Sequence, residues 1–583
     1  TTNADLGLMV YNDLKINPGE VRESRLGGFE RGGRLENVFS PSVFLADDNT
    51  GVGFLPIDDV FVIQSVLSSD LQGWGIGTEK LALAPGTSHT LEWAIYPTGS
   101  GDYYDFINTF RTVEGRIATI DGGLGFFTDG PKDRDQIPER EFIEERGLRY
   151  GLVHGLAGIA DDPSLSIQGV EFIDFPKERQ RLKDQVAKIR QAHPDFKILV
   201  HIAHSLYCTN DPDRYSDSQV VGTNGEQAIW GVPDAYISNE RQEAGWKFWI
   251  FYPTPGNKFH DVMMRSVDVL IDEMGLDGGF MDGFFAGYSG RWTYDGRWDG
   301  HSADINPATK TISQKLGSVL LLSQPSMIQY CRKIHDKGGT VVANNTVVTR
   351  SISNEKYIIH DSESGAGPQL HLAPTATALA NPTGVRTMKD VYRNVLENLR
   401  WGELFIYYGG QFDYPYRSLA SRQFPMTFEE IRGGMVKGPE RIVTMNSGVY
   451  GWNDDRRLHW IYAFDARGAP LEHNFVTTVD GAGVRSELIF EADQSAVIEP
   501  IPVELLSSSP VNLRVSHYTD RSLELDLHGQ GKAQLTMLVG DSLSNAYHVS
   551  SSGETTTREA SEGVLAISLQ LAGKSQVSIK PVE

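Results

Sequence analysis

The chain has 583 residues and a formal net charge of −23. That length exceeds what one hydrophobic core serves, so about two to four domains are expected. The charge makes duplex nucleic acid and anionic membrane surfaces poor partners, and no run of about 18 apolar residues is present to span a bilayer. Cys208 and Cys331 are the only cysteines, too few for a zinc cluster or a disulfide scaffold.

Residues 1–113 read mostly as β structure. Short apolar stretches (Val43-Phe44-Leu45, Gly51-Val52-Gly53-Phe54-Leu55, Val60-Phe61-Val62-Ile63 and Leu91-Glu92-Trp93-Ala94-Ile95-Tyr96) alternate with Gly, Asp and Ser turns. Pro97-Thr98-Gly99-Ser100-Gly101 then breaks into a helical segment, Tyr103 to Arg111. An N-terminal β-sandwich lobe with a linker helix is expected over 1–115.

From about residue 120 strands and helices alternate. Candidate strands are Leu124–Phe127, Arg149–His154, Lys197–His204, a fourth ending at Asp282, Gly339–Asn345, Lys356–Glu363, Leu404–Tyr408 and Arg441–Met445. Helices are expected at 177–192, 258–275, 323–336, 388–399 and 427–436, with a long insertion at 205–257. Eight strands with intervening helices predict an α/β fold, a (β/α)8 TIM-type barrel over 116–446. A doubly wound open sheet would carry a Gly-rich turn after its first strand, whereas Gly122-Gly123 precedes it. Beyond 447 strand signals recur at short intervals, which predicts a C-terminal β-sandwich over 447–583, with the Ser/Thr/Glu run at 549–561 as a loop.

The richest stretch is Leu276-Asp277-Gly278-Gly279-Phe280-Met281-Asp282-Gly283-Phe284-Phe285. Before it, Phe259, Val262, Met263, Val267, Leu270 and Met274 recur at helical steps, and Gly275 is placed to end that helix. A buried strand then delivers Asp282 at its C-terminal end, where barrel chemistry sits. Capping or loop support is the structural alternative for such an acid. The sixth strand ends in Asp361 and Glu363. Cleaving a glycosidic bond needs two carboxyl groups, one to protonate the leaving oxygen and one to stabilise or trap the sugar cation. Asp282 with Asp361 or Glu363 answers that need, and the sequence does not choose between the last two.

A Gly-x-Phe-Met-Asp-Gly-Phe strand with a second acid on strand six resembles the retaining α-glycosidases with β/α barrels, α-galactosidases and endo-α-N-acetylgalactosaminidases being the nearest types. The resemblance implies a glycosidase acting on a poly- or oligosaccharide, with an α-linked galactose-type sugar as one substrate. It implies Asp282 as nucleophile and a strand-six acid as acid/base, with no cofactor or metal. It also implies a secreted setting, extracellular or periplasmic. Two positions depart from that pattern: Phe280 stands where α-galactosidases carry a Lys, and Asn344-Asn345 where some families place their acid.

The loop after Asp282 interleaves Phe285, Tyr288, Trp292, Tyr294 and Trp298 with Asp295, Asp299, His301 and Asp304. Aromatic faces beside carboxylates suit sugars, and a self-packed lid accounts for them equally well. His201, His204, Trp292, Trp298, Asp299, His301, Asn344, Asn345 and Tyr407 are the expected substrate contacts. His201 and His204, with His154, also suggest a metal-dependent hydrolase, but their His-x-x-His spacing on one strand favours substrate or core roles. A carbohydrate-binding protein on a non-catalytic barrel is the other reading. Oligomeric state is not legible.

Overall fold

The computed structural model describes residues 7–10, 14–16, 22–25, 41–47, 49–69, 74–126, 137–153, 170–230, 237, 239–284, 292–344, 348–362, 368–379, 387–406, 416–453, 455–473, 475–539, 546–551 and 554–582. The chain divides into two compact units, residues 1–387 with 403–414, and residues 388–402 with 415–583.

The first unit opens with two antiparallel sheets of five and three strands. Val60–Ile63 is not one of those strands. It lies in a helix, Asp59–Gln64, whose first turn is capped by Asp58 Oδ1 accepting from the Phe61 N–H at 3.0 Å. Val60 to Gln64 are all buried, so the segment shows neither strand alternation nor a helical stripe. The expected linker helix spans Tyr103–Val113, with Asp102 as its cap. Phe106 stacks on Phe44 with centroids 5.7 Å apart. From the same helix the fully buried Arg111 donates to the carbonyls of His371, Ala373 and Pro374. Burial holds its guanidinium down at about 9. A cation taken so far out of water is tolerable because backbone oxygens take its protons.

The barrel is an eight-stranded parallel sheet in sequential order. Its strands are β1 (Gly123–Phe126), β2 (Leu148–Leu152), β3 (Lys197–Ala203), β4 (Gly278–Asp282), β5 (Thr340–Asn344), β6 (Ile358–Ser362), β7 (Thr377–Leu379) and β8 (Leu404–Ile406). β8 returns into contact with β1, so the sheet nearly closes. Helices Arg140–Arg146, Pro176–Ala192, Lys258–Asp268, Val319–Asp336 and Arg350–Ser353 separate successive strands. The helix before β4 runs on into a π turn, Val269–Glu273, and Gly275 follows at φ +74°. That left-handed conformation is open to glycine at little cost.

Two expected strands change places. Ile442–Thr444 is not the eighth barrel strand: it pairs antiparallel with Met435–Lys437 and with Ser495–Ser507 in the second unit. The helix expected at 427–436 is likewise absent, because Glu430–Arg432 and Met435–Lys437 form a hairpin there. Leu404–Ile406 is therefore strand eight rather than seven, and Thr377–Leu379 is the strand not foreseen. Its surroundings, His371-Leu372-Ala373-Pro374-Thr375-Ala376-Thr377-Ala378, are small residues around a proline and lack the β-branched apolar run that marks a strand.

The second unit contains a large antiparallel sheet system with three long strands, Ser495–Ser507, Leu523–Leu538 and Val564–Pro581. Alternate residues point into one core built from Leu505, Leu513, Leu525, Leu535, Leu569 and Ile579, among others. The run at 549–561 is not a loop. Ala546–Ser551 and Glu554–Glu559 pair as a hairpin, with Ser550 opposite Thr555. Threonines favour strands on an exposed edge as readily as turns. Cys208 and Cys331 are buried and not bridged. No helix among the described residues is long and apolar enough to cross a membrane.

Candidate active site

The local sequence of β4 fixes where its last residue sits. Asp277 Oδ2 accepts from the Ile198 N–H and from Arg190 Nη2, each at 2.9 Å, which anchors the foot of the strand. Gly278 has φ +142°, and a Cβ there would overlap the Thr340 carbonyl oxygen on β5. Only glycine lets the two backbones come together at that point. Four residues on, Asp282 closes the strand, buried with 6 % of its surface exposed.

Register then carries this level around the barrel. Ala203 pairs with Asp282, Met281 with Ala343, Asn344 with Asp361, and Asp361 with Thr377. Paired residues on parallel strands project to the same side of the sheet. Asp282, Asn344, Asp361 and Thr377 thus form one tier across four adjacent strands, at the C-terminal ends of β4, β5 and β6 and at the first residue of β7. The hydrogen bonds agree: Asn344 Nδ2 donates to Asp282 Oδ1 at 3.2 Å, and Thr377 Oγ1 donates to Asp361 Oδ1 at 3.3 Å. With strands about 4.8 Å apart, the Asp282 and Asp361 backbones stand roughly 10 Å apart, and inward-pointing side chains close part of that gap.

One tier below, His201 pairs with Phe280, and the rings stack at 5.9 Å with 27° between planes. His201 Nε2 lies 3.3 Å from Asp282 Oδ2. The contact lacks hydrogen-bond alignment, and both imidazole nitrogens are buried without a hydrogen-bond partner. His204 follows β3, fully buried against Phe284 at 5.5 Å between centroids. Burial pushes its pKa down to about 3, although the Asp282 charge pulls the other way. It stays neutral across the ordinary pH range. His360 alternates away from the Asp361 tier and is likewise held at about 3, chiefly by burial, with Arg116 adding repulsion.

The aromatic loop after β4 is used differently. Asp299 Oδ1 accepts from the His301 and Ser302 N–H groups at 2.8 Å each, and Oδ2 from the Ser318 N–H at 2.6 Å. Trp298 Nε1 donates to the Ser302 carbonyl at 2.8 Å, while Lys315 Nζ sits 4.1 Å over its ring. Trp292 lies in a short strand paired with Gly317–Ser318 and has Lys80 over its ring at 5.6 Å. His301 packs on His89, its carbonyl accepting from Ala82 N–H and Gln64 Nε2. Tyr252 and Tyr294 donate to Asp295 and Asp304. These polar groups satisfy one another and hold the loop to the N-terminal lobe, as a self-packed segment does.

Of the sequence-derived candidates, the structure brings together Asp282, Asp361, Asn344, His201 and His204. Trp292, Trp298, Asp299 and His301 belong to the loop. Glu363, Asn345 and Tyr407 lie outside the described residues, as do His154, Phe285 and Tyr288. Thr377 completes the tier and Phe280 its floor; neither is among the predicted substrate contacts, and β7, which carries Thr377, has no strand signal of its own. Among the described residues no group of three His, Cys, Asp or Glu side chains is placed to hold a metal ion.

No protein-family model and no curated protein matches the chain. Solved structures do. A beta-arabinopyranosidase aligns over 98 % of this chain and 78 % of its own at 10 % identity, with a TM-score of 0.35. A GH31 alpha-xylosidase from a soil metagenome, complexed with xylose, aligns over 85 % of this chain and 79 % of its own at 8 % identity, TM-score 0.40. A Glycoside Hydrolase Family 97 enzyme from Pseudoalteromonas sp. strain K8, complexed with acarbose, aligns over 100 % of this chain and 80 % of its own at 8 % identity, TM-score 0.33. These are distant likenesses, and the residues at the barrel mouth carry the functional reading.

Proposed function

We propose that the chain is a β/α-barrel glycoside hydrolase that cleaves a poly- or oligosaccharide through Asp282 and Asp361. The observation that supports this reading is the tier itself: two buried carboxyl groups on one face of the barrel sheet, from β4 and β6, with the neutral amide of Asn344 between them. Paired acids spaced by one strand match what glycosidic cleavage requires. In the retaining form, Asp282 attacks the anomeric carbon as the Asp361 carboxyl protonates the departing oxygen. Asp361, now ionised, then draws a proton from water, which releases the sugar from Asp282. Retention needs the carboxyl groups about 5–5.5 Å apart, and inversion about 6.5–9.5 Å.

Asn344 Nδ2 holds one Asp282 oxygen at 3.2 Å and so helps fix the orientation of the carboxyl group. His201, whose Nε2 lies 3.3 Å from Asp282 Oδ2, would meet a sugar hydroxyl. An α-linked galactose-type sugar is the substrate that the strand-four sequence favours, although Phe280 stacks on His201 where an α-galactosidase has its Lys. Reducing-end release from a panel of α- and β-linked polysaccharides tests the reading, run on the native chain beside Asp282→Asn. Release by the native chain alone supports it. Release by both moves the catalytic acid elsewhere. Binding without release by either favours a non-catalytic carbohydrate-binding barrel.

A further inference from the structure

The second unit contains a cleft that the barrel chemistry does not use. It has a volume of about 440 Å³ and lies beside strand Arg457–Phe464, with Arg417, Arg422 and Arg514 on its walls and Glu472 as its one carboxylate. Among these, Arg514 Nη1 donates to the His473 carbonyl at 3.1 Å. The neighbouring Arg441 pairs with Glu499 at 3.0 Å.

Arg422 is the informative member. Its guanidinium sits 3.6 Å from the centroid of the Tyr462 ring and makes no ion pair among the described residues. A half-buried cation spread flat on an aromatic face keeps its outward edge available for an anion. Trp460 stands against Tyr462, edge to face at 5.7 Å, and both rings are partly exposed to the cleft. Cations able to fork onto an oxyanion, next to aromatic faces, form a surface for a ring with an apolar side and a charged substituent. Arg514 also lines a second cleft of about 910 Å³, with Asn512, Asp526, His528, Lys574 and Gln576.

We propose that this cleft is a binding site for an acidic oligosaccharide, one carrying carboxylate or sulfate groups, separate from the barrel mouth. Arg422 and Arg514 meet the anionic groups and Trp460 the ring. The test is calorimetric titration of the full chain with four probes: a galacturonate hexamer, a heparin hexasaccharide, maltohexaose and inorganic sulfate. One or both acidic oligomers should bind, more weakly as salt is raised, and maltohexaose and inorganic sulfate should not. Which acidic oligomer binds tells carboxylate from sulfate. Arg422→Gln should weaken binding about tenfold or more, and Trp460→Ala about fivefold or more. Glu472→Gln, which removes an exposed carboxylate and touches no core, should tighten it about threefold. Binding unchanged by all three substitutions would place the ligand elsewhere and overturn the proposal. So would equal affinity for maltohexaose, binding of inorganic sulfate alone, or no binding of either acidic oligomer. Binding rather than turnover is read, so this outcome is independent of the glycosidase assignment.

Discussion

Replacing Asp282 by Asn separates folding from chemistry more cleanly than any other change. The amide has the same shape as the carboxylate, so Asn344 Nδ2 keeps an oxygen acceptor at the place where it now donates over 3.2 Å. The new NH2 group falls toward His201 Nε2, 3.3 Å from the oxygen it replaces. One buried contact is exchanged for another, so unfolding free energy should move by no more than about 1 kcal/mol. Turnover is another matter. An amide cannot form the glycosyl ester, and kcat/KM should fall about ten-thousand-fold or more, which is about 5.4 kcal/mol of transition-state stabilisation. The assay is initial rate on the best polysaccharide from the panel, with urea unfolding of both proteins in parallel. A second variant refines the role: azide should restore turnover of an activated substrate in Asp282→Gly, giving the glycosyl azide of inverted configuration. A variant that stays folded and keeps its rate within about tenfold would refute the placement of Asp282 at the reacting carbon.

Three other changes address the site and its frame. Asn344→Asp puts a third carboxyl between Asp282 and Asp361, and like charges resist joint ionisation, so the acid limb of the pH–rate profile should move upward by about one unit or more; an unmoved limb would separate Asn344 from the reacting pair. Gly278→Ala forces a Cβ into the Thr340 carbonyl at φ +142°, so it should destabilise the barrel by about 3 kcal/mol or more in urea unfolding, and a neutral result would contradict the β4–β5 register. His204 and His360 are both held at about 3 in the folded chain, against 6.5 for the free side chain. Below pH 6.5 the unfolded chain takes up these protons and the native one does not, so the stability they contribute is intact above pH 6.5 and drains as pH falls toward 3. Each histidine should add a slope of up to about 1.4 kcal/mol per pH unit in that window, and His360→Asn should remove one such share from the measured dependence.

How much of this was legible beforehand follows from what each signal depends on. Strands β3 to β6 are near-continuous apolar runs, as parallel strands buried on both faces must be, and an acid or amide at the end of such a run is visible in one dimension. Asp282, Asn344 and Asp361 were found that way. β7 is a strand by virtue of its neighbours: Thr377 and Ala378 are buried between β6 and β8, and Arg111 holds the preceding carbonyls from far along the chain. No local propensity reports a contact 260 residues away. Missing β7 shifted the strand count and drew Ile442–Thr444 into the barrel in its place. The aromatic loop failed for a different reason. Composition shows that Trp298, Asp299 and His301 carry sugar-binding chemistry, but only geometry shows that Asp299 spends both oxygens on three backbone N–H groups. A carboxylate so engaged cannot also take a hydroxyl without giving up charge-assisted bonds. Asp282 differs in the same terms. One oxygen is held by an amide that strand register places beside it. The other faces an imidazole close enough to sense it but not aligned to claim it. A tier of acids drawn from separate strands exists only in the register that pairs them, and no single strand's sequence carries that register.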